Sequence, residues 1–214
     1  MTPSLALLEC YAPLTPVKEC PPLVAHQSGE IFALWQAWER ERAAVCDVPY
    51  WALVWPAAQV LAQYLGENHA LVRGKAVLDC GCGGGVAAIA AAAGGARRAL
   101  GCDLDPAAIA VAKLNGAANG AAVEFVRGDI LPYCDARQFE LILAADLFYE
   151  REFSRALFAA LASAHARGCA VIIADSGRPF LPKESLREIY ARTVPTSVEV
   201  EGRRERTVRL FRFS

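Results

Sequence analysis

One stretch of the chain combines residue types and spacing that suggest chemistry: Asp79-Cys80-Gly81-Cys82-Gly83-Gly84-Gly85, set between the apolar run Ala76-Val77-Leu78 and a helix-like run over residues 86–93. Glycines at a strand–turn–helix junction reach positive φ and let the backbone approach a ligand closely. In an open parallel sheet this junction lies at the carboxyl ends of the strands, where ligands bind. What the turn lacks narrows the ligand. A dinucleotide site needs Gly-x-Gly-x-x-Gly or Ala; counted from Gly81 the sixth residue is Val86, and counted from Gly83 the pattern begins inside the turn. A P-loop is excluded because no Gly-Lys-Ser/Thr follows. Asp79 adds an electrostatic argument: a carboxylate directly before the glycines repels a pyrophosphate and attracts a ligand carrying an ammonium and a sulfonium.

Three more acids occupy comparable places. Asp103 follows the apolar run 99–102, Asp129 follows 123–126, and Asp146 follows 139–145. Singly, each reads as a helix N-cap or a solvated loop acid. Four acids at the ends of four successive strand-like runs read as one site.

The elements that must position these acids are legible as an alternation. Strands are expected at 76–78, 99–102, 123–126, 139–145 and 169–174, with helices at 86–93, 106–118 and 153–166 between them. Strand–helix alternation of this kind predicts an α/β domain with a mainly parallel sheet. The rhythm breaks at the end, where 197–201 and 207–213 look strand-like around Gly202-Arg203-Arg204 and predict a hairpin that makes the sheet mixed. It also breaks before Lys75. Residues 12–24 hold four prolines and read as a loop, and Ile31, Leu34, Trp35, Trp38 and Val45 fall on one helical face, with Trp35 and Trp38 expected to pack beneath it. The expected organisation is one domain over 1–214, with an N-terminal helical cap over 1–48 and a core over 49–214.

Composition excludes several classes. A chain of 214 residues that is 55% hydrophobic supports one sizeable core. Its formal net charge of −1 gives no global field toward nucleic acid or membrane. The arginines at 203, 204, 206, 209 and 212 read as a solvated strand face, or else as a docking patch for an acidic protein or, as a lesser alternative, for RNA. Residues 80–96 are weakly polar, but their glycines argue against a membrane helix. The eight cysteines form no Cys-x-x-Cys pair and have no nearby His for a zinc-ligand set, so free thiols in a reducing cytoplasm are expected. Residues 1–13 contain no Lys or Arg and lack the basic start of a leader. His26, His69 and His165 are scattered and no nucleophile lies near one in sequence, which disfavours a hydrolase.

The Asp-x-Gly-x-Gly-x-Gly of residues 79–85 resembles motif I of the seven-strand, S-adenosylmethionine-dependent methyltransferases. Further local matches narrow the resemblance. Pro49-Tyr50-Trp51-Ala52 through Trp55-Pro56, Arg73-Gly74-Lys75, Asp146-Leu147-Phe148-Tyr149 and Asp175-Ser176-Gly177-Arg178 are similar to segments of the lysine methyltransferases that modify the β-subunit of electron transfer flavoprotein, particularly their bacterial members, and Val194-Pro195-Thr196 adds a weaker match. The resemblance spans 49–214. It departs at Ser176, where the family has proline, and in the cap over 29–45; both lie where a protein substrate would dock.

The resemblance implies a Rossmann-like seven-strand fold, the cofactor S-adenosyl-L-methionine and a lysine side chain of a protein as substrate, with no nucleic acid and no membrane partner. Trp55 would lie against the cofactor, Gly81 and Gly83 would pass beneath its methionine portion, and Asp79 would face its amino group. Asp103 would accept from the ribose hydroxyls and Asp129 would read the adenine, with Gly85, Leu104 and Ile130 completing the set. Ala145 and Asp146 would line the methyl channel, Asp146 orienting the amine and Tyr149 walling the lysine. Phe148 and Arg178 would meet the substrate. Two alternatives share the cofactor residues: a small-molecule N-methyltransferase acting on a nicotinamide-like heterocycle, which needs an enclosed pocket, and a cofactor-binding module without catalysis.

Overall fold

Five residues, Ala76–Cys80, form a strand (β3) buried along its whole length. A strand apolar on both faces belongs at the centre of a sheet with helices on either side. In the computed structural model, which describes residues 2–135 and 137–214, that is its place. Arg98–Asp103 (β4) and Glu124–Arg127 (β5) pair in parallel on one side of β3. Leu141–Ala145 (β6) and Ala170–Asp175 (β7) pair in parallel on the other. Two antiparallel strands, Leu186–Pro195 (β8) and Glu205–Phe213 (β9), close the sheet in the order β5-β4-β3-β6-β7-β9-β8. The chain leaves β3 in opposite directions to reach β4 and β6. The crevice beyond the ends of β3 and β6 is therefore the topological switch point where open α/β sheets bind ligands.

Alternation along the strands divides the core. Val77, Leu141, Leu143 and Ile172 face Pro56–Glu67 (α3) and Val86–Ala93 (α4), while Leu78, Leu100, Ile142 and Ile173 face Arg151–Ala166 (α7). The helix Pro106–Ala118 (α5) has Pro at its first position and an Asp105 cap whose carboxylate accepts from Ala107 N, at 2.7 Å. Both features fix a helix start. A short helix, Leu131–Asp135 (α6), follows β5.

The ends of the chain depart from the sequence reading. Residues 12–24 are not a loop: Leu14–Val17 (β1) and Cys20–His26 (β2) form an antiparallel hairpin between Leu5–Tyr11 (α1) and Ile31–Arg42 (α2). The cap is thus mixed rather than purely helical. The prolines are tolerated because this is an isolated two-stranded ribbon, where the missing N–H groups can face outward. Asn115 of α5 and Asn119, which caps its C-terminus, tether the ribbon, Asn115 Oδ1 accepting from His26 N at 2.8 Å and Asn119 Oδ1 accepting from Val24 N at 2.9 Å. On α2, Ile31, Leu34 and Trp38 are buried, with Trp38 edge-on to Trp51; Val45 lies beyond the helix and is 93% exposed. The left-handed cap residue Ala43 ends α2 before Val45.

The terminal hairpin exists, but its first strand is β8. Residues Val198–Glu201 form one helical turn (α8), closed by Gly202 at φ 65°. The alternation of Val198 and Val200 imitates a strand over too few residues to distinguish it from a turn. β8 was missed because it is a charged edge strand, with Arg187, Glu188 and Arg192. All eight cysteines are free thiols, and Cys80 and Cys134 bring their Sγ atoms to 3.5 Å in the core.

Candidate active site

The turn after β3 has three glycines with left-handed backbone, Gly81, Gly83 and Gly85, at φ 58°, 51° and 83°. Their surroundings separate them. A Cβ on Gly81 would meet the Leu147 side chain at 2.5 Å, and one on Gly85 would meet the Phe125 ring at 2.7 Å. A Cβ on Gly83 would meet nothing within 4 Å. Two of the glycines serve close packing, and Gly83 turns its bare face to open space. The turn is held from outside: Asn115 Nδ2 donates to Gly84 O at 2.8 Å, so the fully buried Asn115 links the turn to the cap.

The acids around this turn bind backbone. Asp79 is buried, and its Oδ2 accepts from Ala88 N in the first turn of α4, at 3.0 Å. Burial pushes its pKa up to about 7 against that hydrogen bond, and the nearby Asp103 charge adds to the rise. Asp103 Oδ2 accepts from Gly83 N at 2.9 Å, and Oδ1 from Asp105 N at 3.0 Å. Burial raises its pKa too, although these backbone donors pull the other way. Each oxygen of an ionised carboxylate has two acceptor sites, so Asp103 keeps capacity for a ligand on both. Asp129 is exposed and accepts from Leu131 N at 3.0 Å, Leu104 is 63% exposed, and Ile130 is buried beneath them.

At the end of β6 the construction changes. Asp146 sits at φ 55°, a left-handed conformation uncommon for a residue with a side chain. Ala174 O accepts from its N–H at 2.9 Å, next to half-buried Ala145. Its carboxylate is buried among donors: Oδ1 accepts from Ser176 N at 2.9 Å, Ser176 Oγ at 2.7 Å and Arg178 Nε at 3.0 Å. Oδ2 accepts from Ala57 N, at 3.2 Å, in the first turn of α3. The departure at Ser176 thus supplies a hydroxyl donor that proline lacks. Trp55 caps the start of α3, half-buried, with the Arg178 guanidinium 5.1 Å from its ring centroid and the Tyr50 ring 5.6 Å away. Tyr149 is 62% exposed at the mouth; partial burial raises its pKa, and the Asp103 charge raises it further.

Two expected substrate contacts are corrected. Phe148 is 0% exposed and packs edge-on to Phe158 of α7, so it supports the loop from the core and cannot touch a substrate. Arg178 points inward: Nε donates to Asp146, and Nη2 donates to Glu201 Oε1 at 2.8 Å. A guanidinium spent on two buried carboxylates and a ring face does not reach an acidic substrate surface. Glu201 and Asn115 belong to the site's framework and were not singled out from the sequence. Nothing local marked them, because each acts on a segment distant in the chain.

The part of the chain that contains the turn and its acids is similar to known proteins. The family model for ribosomal protein L11 methyltransferase (PrmA) matches residues 59–148, from within α3 to the loop after β6. The electron transfer flavoprotein β-subunit lysine methyltransferase of Mus musculus is 36% identical over 170 residues, covering 77% of this chain and 67% of its own length. The chain belongs to the electron transfer flavoprotein β-subunit lysine methyltransferase family. The Xenopus laevis member is 40% identical over 131 residues, covering 61% of this chain and 53% of that protein. Across the vertebrate members matched, the chain spans from 53% to 67% of the relative's length. A solved ribosomal protein L11 methylase from Lactobacillus delbrueckii subsp. bulgaricus, 25% identical, aligns with a TM-score of 0.51 over 74% of this chain and 79% of its own. The sheet order and terminal hairpin are thus those of a methyltransferase fold. For a member of this family, the open face of Gly83 between Asp79 and Asp103 fits S-adenosylmethionine: it admits a ligand main chain, flanked by carboxylates for an ammonium and for hydroxyls.

Proposed function

We propose that the chain is an S-adenosylmethionine-dependent N-methyltransferase whose substrate is a lysine of the electron transfer flavoprotein β-subunit. The observation that carries this reading is the buried Asp146 carboxylate at the end of β6, one strand from the Gly81–Gly85 turn, with exposed Tyr149 and Tyr50 at its mouth. On this reading Gly81, Gly83 and Asp79 hold the methionine portion of the cofactor. Asp103 and Leu104 hold the ribose, Asp129 and Ile130 the adenine, and Trp55 borders the methyl. When bound, the cofactor supplies a methyl group already activated by its sulfonium.

The protein's part is to place an amine in line with that methyl and to keep it neutral. A lysine ammonium, with an ordinary pKa of about 10.4, must lose its proton before its lone pair can attack. Asp146 is suited to orienting the amine, because four donors of the chain already hold its carboxylate in one place. Oδ2 accepts one hydrogen bond from the chain and, as a carboxylate oxygen, can accept a second, from an N–H of the amine. Tyr149, at the exposed rim, gives the aliphatic stem a wall and the incoming cation a ring face. The proton leaves to water at the mouth. We also propose a reducing cytoplasmic setting, supported by the eight free thiols.

The test incubates the protein and radiolabelled S-adenosylmethionine with purified flavoprotein β-subunit, and separately with filtered small molecules from lysate. Label on a lysine of the subunit, lost in Asp146→Ala, is the expected result. Label confined to the small-molecule fraction would overturn the protein assignment in favour of a heterocycle substrate.

A further inference from the structure

Behind Asp146 runs a line of alternating charge. Asp146 Oδ1 meets Arg178 Nε at 3.0 Å, Arg178 Nη2 meets Glu201 Oε1 at 2.8 Å, and Glu201 Oε2 meets Arg206 Nε at 2.9 Å. The two inner members are well shielded, with side-chain exposures of 15% for Arg178 and 3% for Glu201. Arg206 is also tied through Nη2 to Glu201 O, at 2.9 Å. The four charges come from four places: the end of β6, the loop after β7, α8 and β9.

Buried ion pairs of this kind rarely add stability over apolar packing, and a hypothesis for their retention must name what they specify. Here the geometry specifies the arginine. Without Glu201, Arg178 would have one carboxylate, Asp146, and would be free to swing its fork around it. With Glu201, the guanidinium is fixed at both ends and lies over Trp55. We infer that Glu201 is a positioning residue for methyl transfer: through Arg178 it fixes the orientation and the net charge of the Asp146 site, and so tunes how readily a bound lysine gives up its proton. The inference deepens the lysine-methyltransferase reading and rests on it.

The charged and titratable groups facing Arg178 are Asp146, Glu201, Tyr149 and, beside Asp146, Asp175, with Arg206 behind Glu201 and Lys183 near Asp175. The chain Asp146–Arg178–Glu201–Arg206 is neutral as a set. Neutralising Glu201 leaves one uncompensated positive charge beside the amine. A positive neighbour disfavours the ammonium, so the bound lysine loses its proton at lower pH. Neutralising Arg206 leaves one uncompensated negative charge, more distant, and shifts the same proton loss the other way.

The experiment records kcat against pH for wild type, Glu201→Gln, Glu201→Asp and Arg206→Gln, with S-adenosylhomocysteine titrations to establish that each variant is folded and binds cofactor product. The expected result is a displacement of the rising acid limb of kcat toward lower pH by roughly half a unit in Glu201→Gln. It should return to the wild-type position in Glu201→Asp and move slightly toward higher pH in Arg206→Gln. If Glu201→Gln does not fold, the Arg206→Gln displacement alone decides. A limb that stays in place in every folded variant, with kcat merely lowered at all pH values, would assign Glu201 a structural role and overturn the inference. Failure of wild type to label any protein lysine would instead overturn the substrate reading, so the two failures are distinguishable.

Discussion

The two sides of the switch-point crevice are built differently. On the β3–β4 side, Asp79 and Asp103 use their carboxylates on backbone N–H groups, of Ala88, Gly83 and Asp105, and the glycine turn is shaped by the absence of side chains. On the β6–β7 side, the Asp146 carboxylate accepts from two backbone N–H groups, of Ala57 and Ser176, and also from two side chains, Ser176 and Arg178, with Glu201 and Arg206 linked behind Arg178. A site made from backbone is pre-set by the fold and tolerates change in neighbouring side chains. A site made from linked charges can be retuned by one substitution several residues from the reacting atoms. On the proposed function, the side that holds the cofactor is of the first kind and the side that meets the substrate is of the second.

Several measurements would break or sharpen this contrast. The largest expected effect is on stability: Phe148→Ala removes a fully buried ring under the Asp146 loop and should cost about 3–5 kcal/mol in denaturant unfolding. Loss of activity without loss of stability would contradict its assignment to the core. Asp146→Ala should lower kcat/KM on the order of a hundredfold or more, while S-adenosylhomocysteine affinity stays near wild type. A parallel collapse of cofactor affinity would erase the division between the two sides.

The glycines give a paired test. Gly83→Ala and Gly85→Ala both place an alanine at positive φ, at a cost of about 1–2 kcal/mol each. Only Gly85→Ala adds a clash, with Phe125, and should lose the greater share of thermal stability. Gly83→Ala should lose cofactor affinity out of proportion to its melting temperature, because its Cβ enters the open face. Equal losses of both properties in both variants would count against Gly83 as the ligand-facing position.

Asp79 makes the cofactor side sensitive to pH. Its folded pKa of about 7 lies above the ordinary aspartate value, so between about pH 4 and 7 the native state holds a proton that the unfolded state has released. This group's contribution to stability is therefore greatest at acid pH and declines as pH rises through 7. Ligand affinity runs the opposite way, because an ammonium favours the ionised form. S-adenosylhomocysteine affinity should fall toward tenfold for each pH unit below 7, with proton release on binding seen by calorimetry in two buffers. Asp79→Asn should bind more weakly and without that slope; a slope that persists in it would place the titration elsewhere. The smallest effect expected is from Tyr149→Phe, a few-fold or less in KM for the protein substrate, since the ring wall remains and only the hydroxyl is lost.

The sequence by itself determined the α/β alternation, the glycine turn with its preceding acid, and the acids at the strand ends. Helix α5 begins at Pro106, as its Asp105-Pro106 start indicates, and α4 begins directly after Gly85. These features are legible because their physical causes are local: a cap, a proline at the first helical position, and buried strands apolar on both faces. Where local signals were weak or shared, the reading failed. The proline-rich ribbon read as a loop, charged β8 went unread, and α8 read as a strand. Tertiary structure alone decided what the functional acids touch. Asp146 receives Ala57 N across 89 positions and Arg178 Nε across 32, and Arg178 reaches Glu201 across a further 23. An ion pair leaves no periodic trace in the chain, because charge attracts through space without regard to sequence separation. Hence Phe148 and Tyr149, adjacent in sequence, part company in the fold: one is fully buried in the core and the other stands at the open mouth.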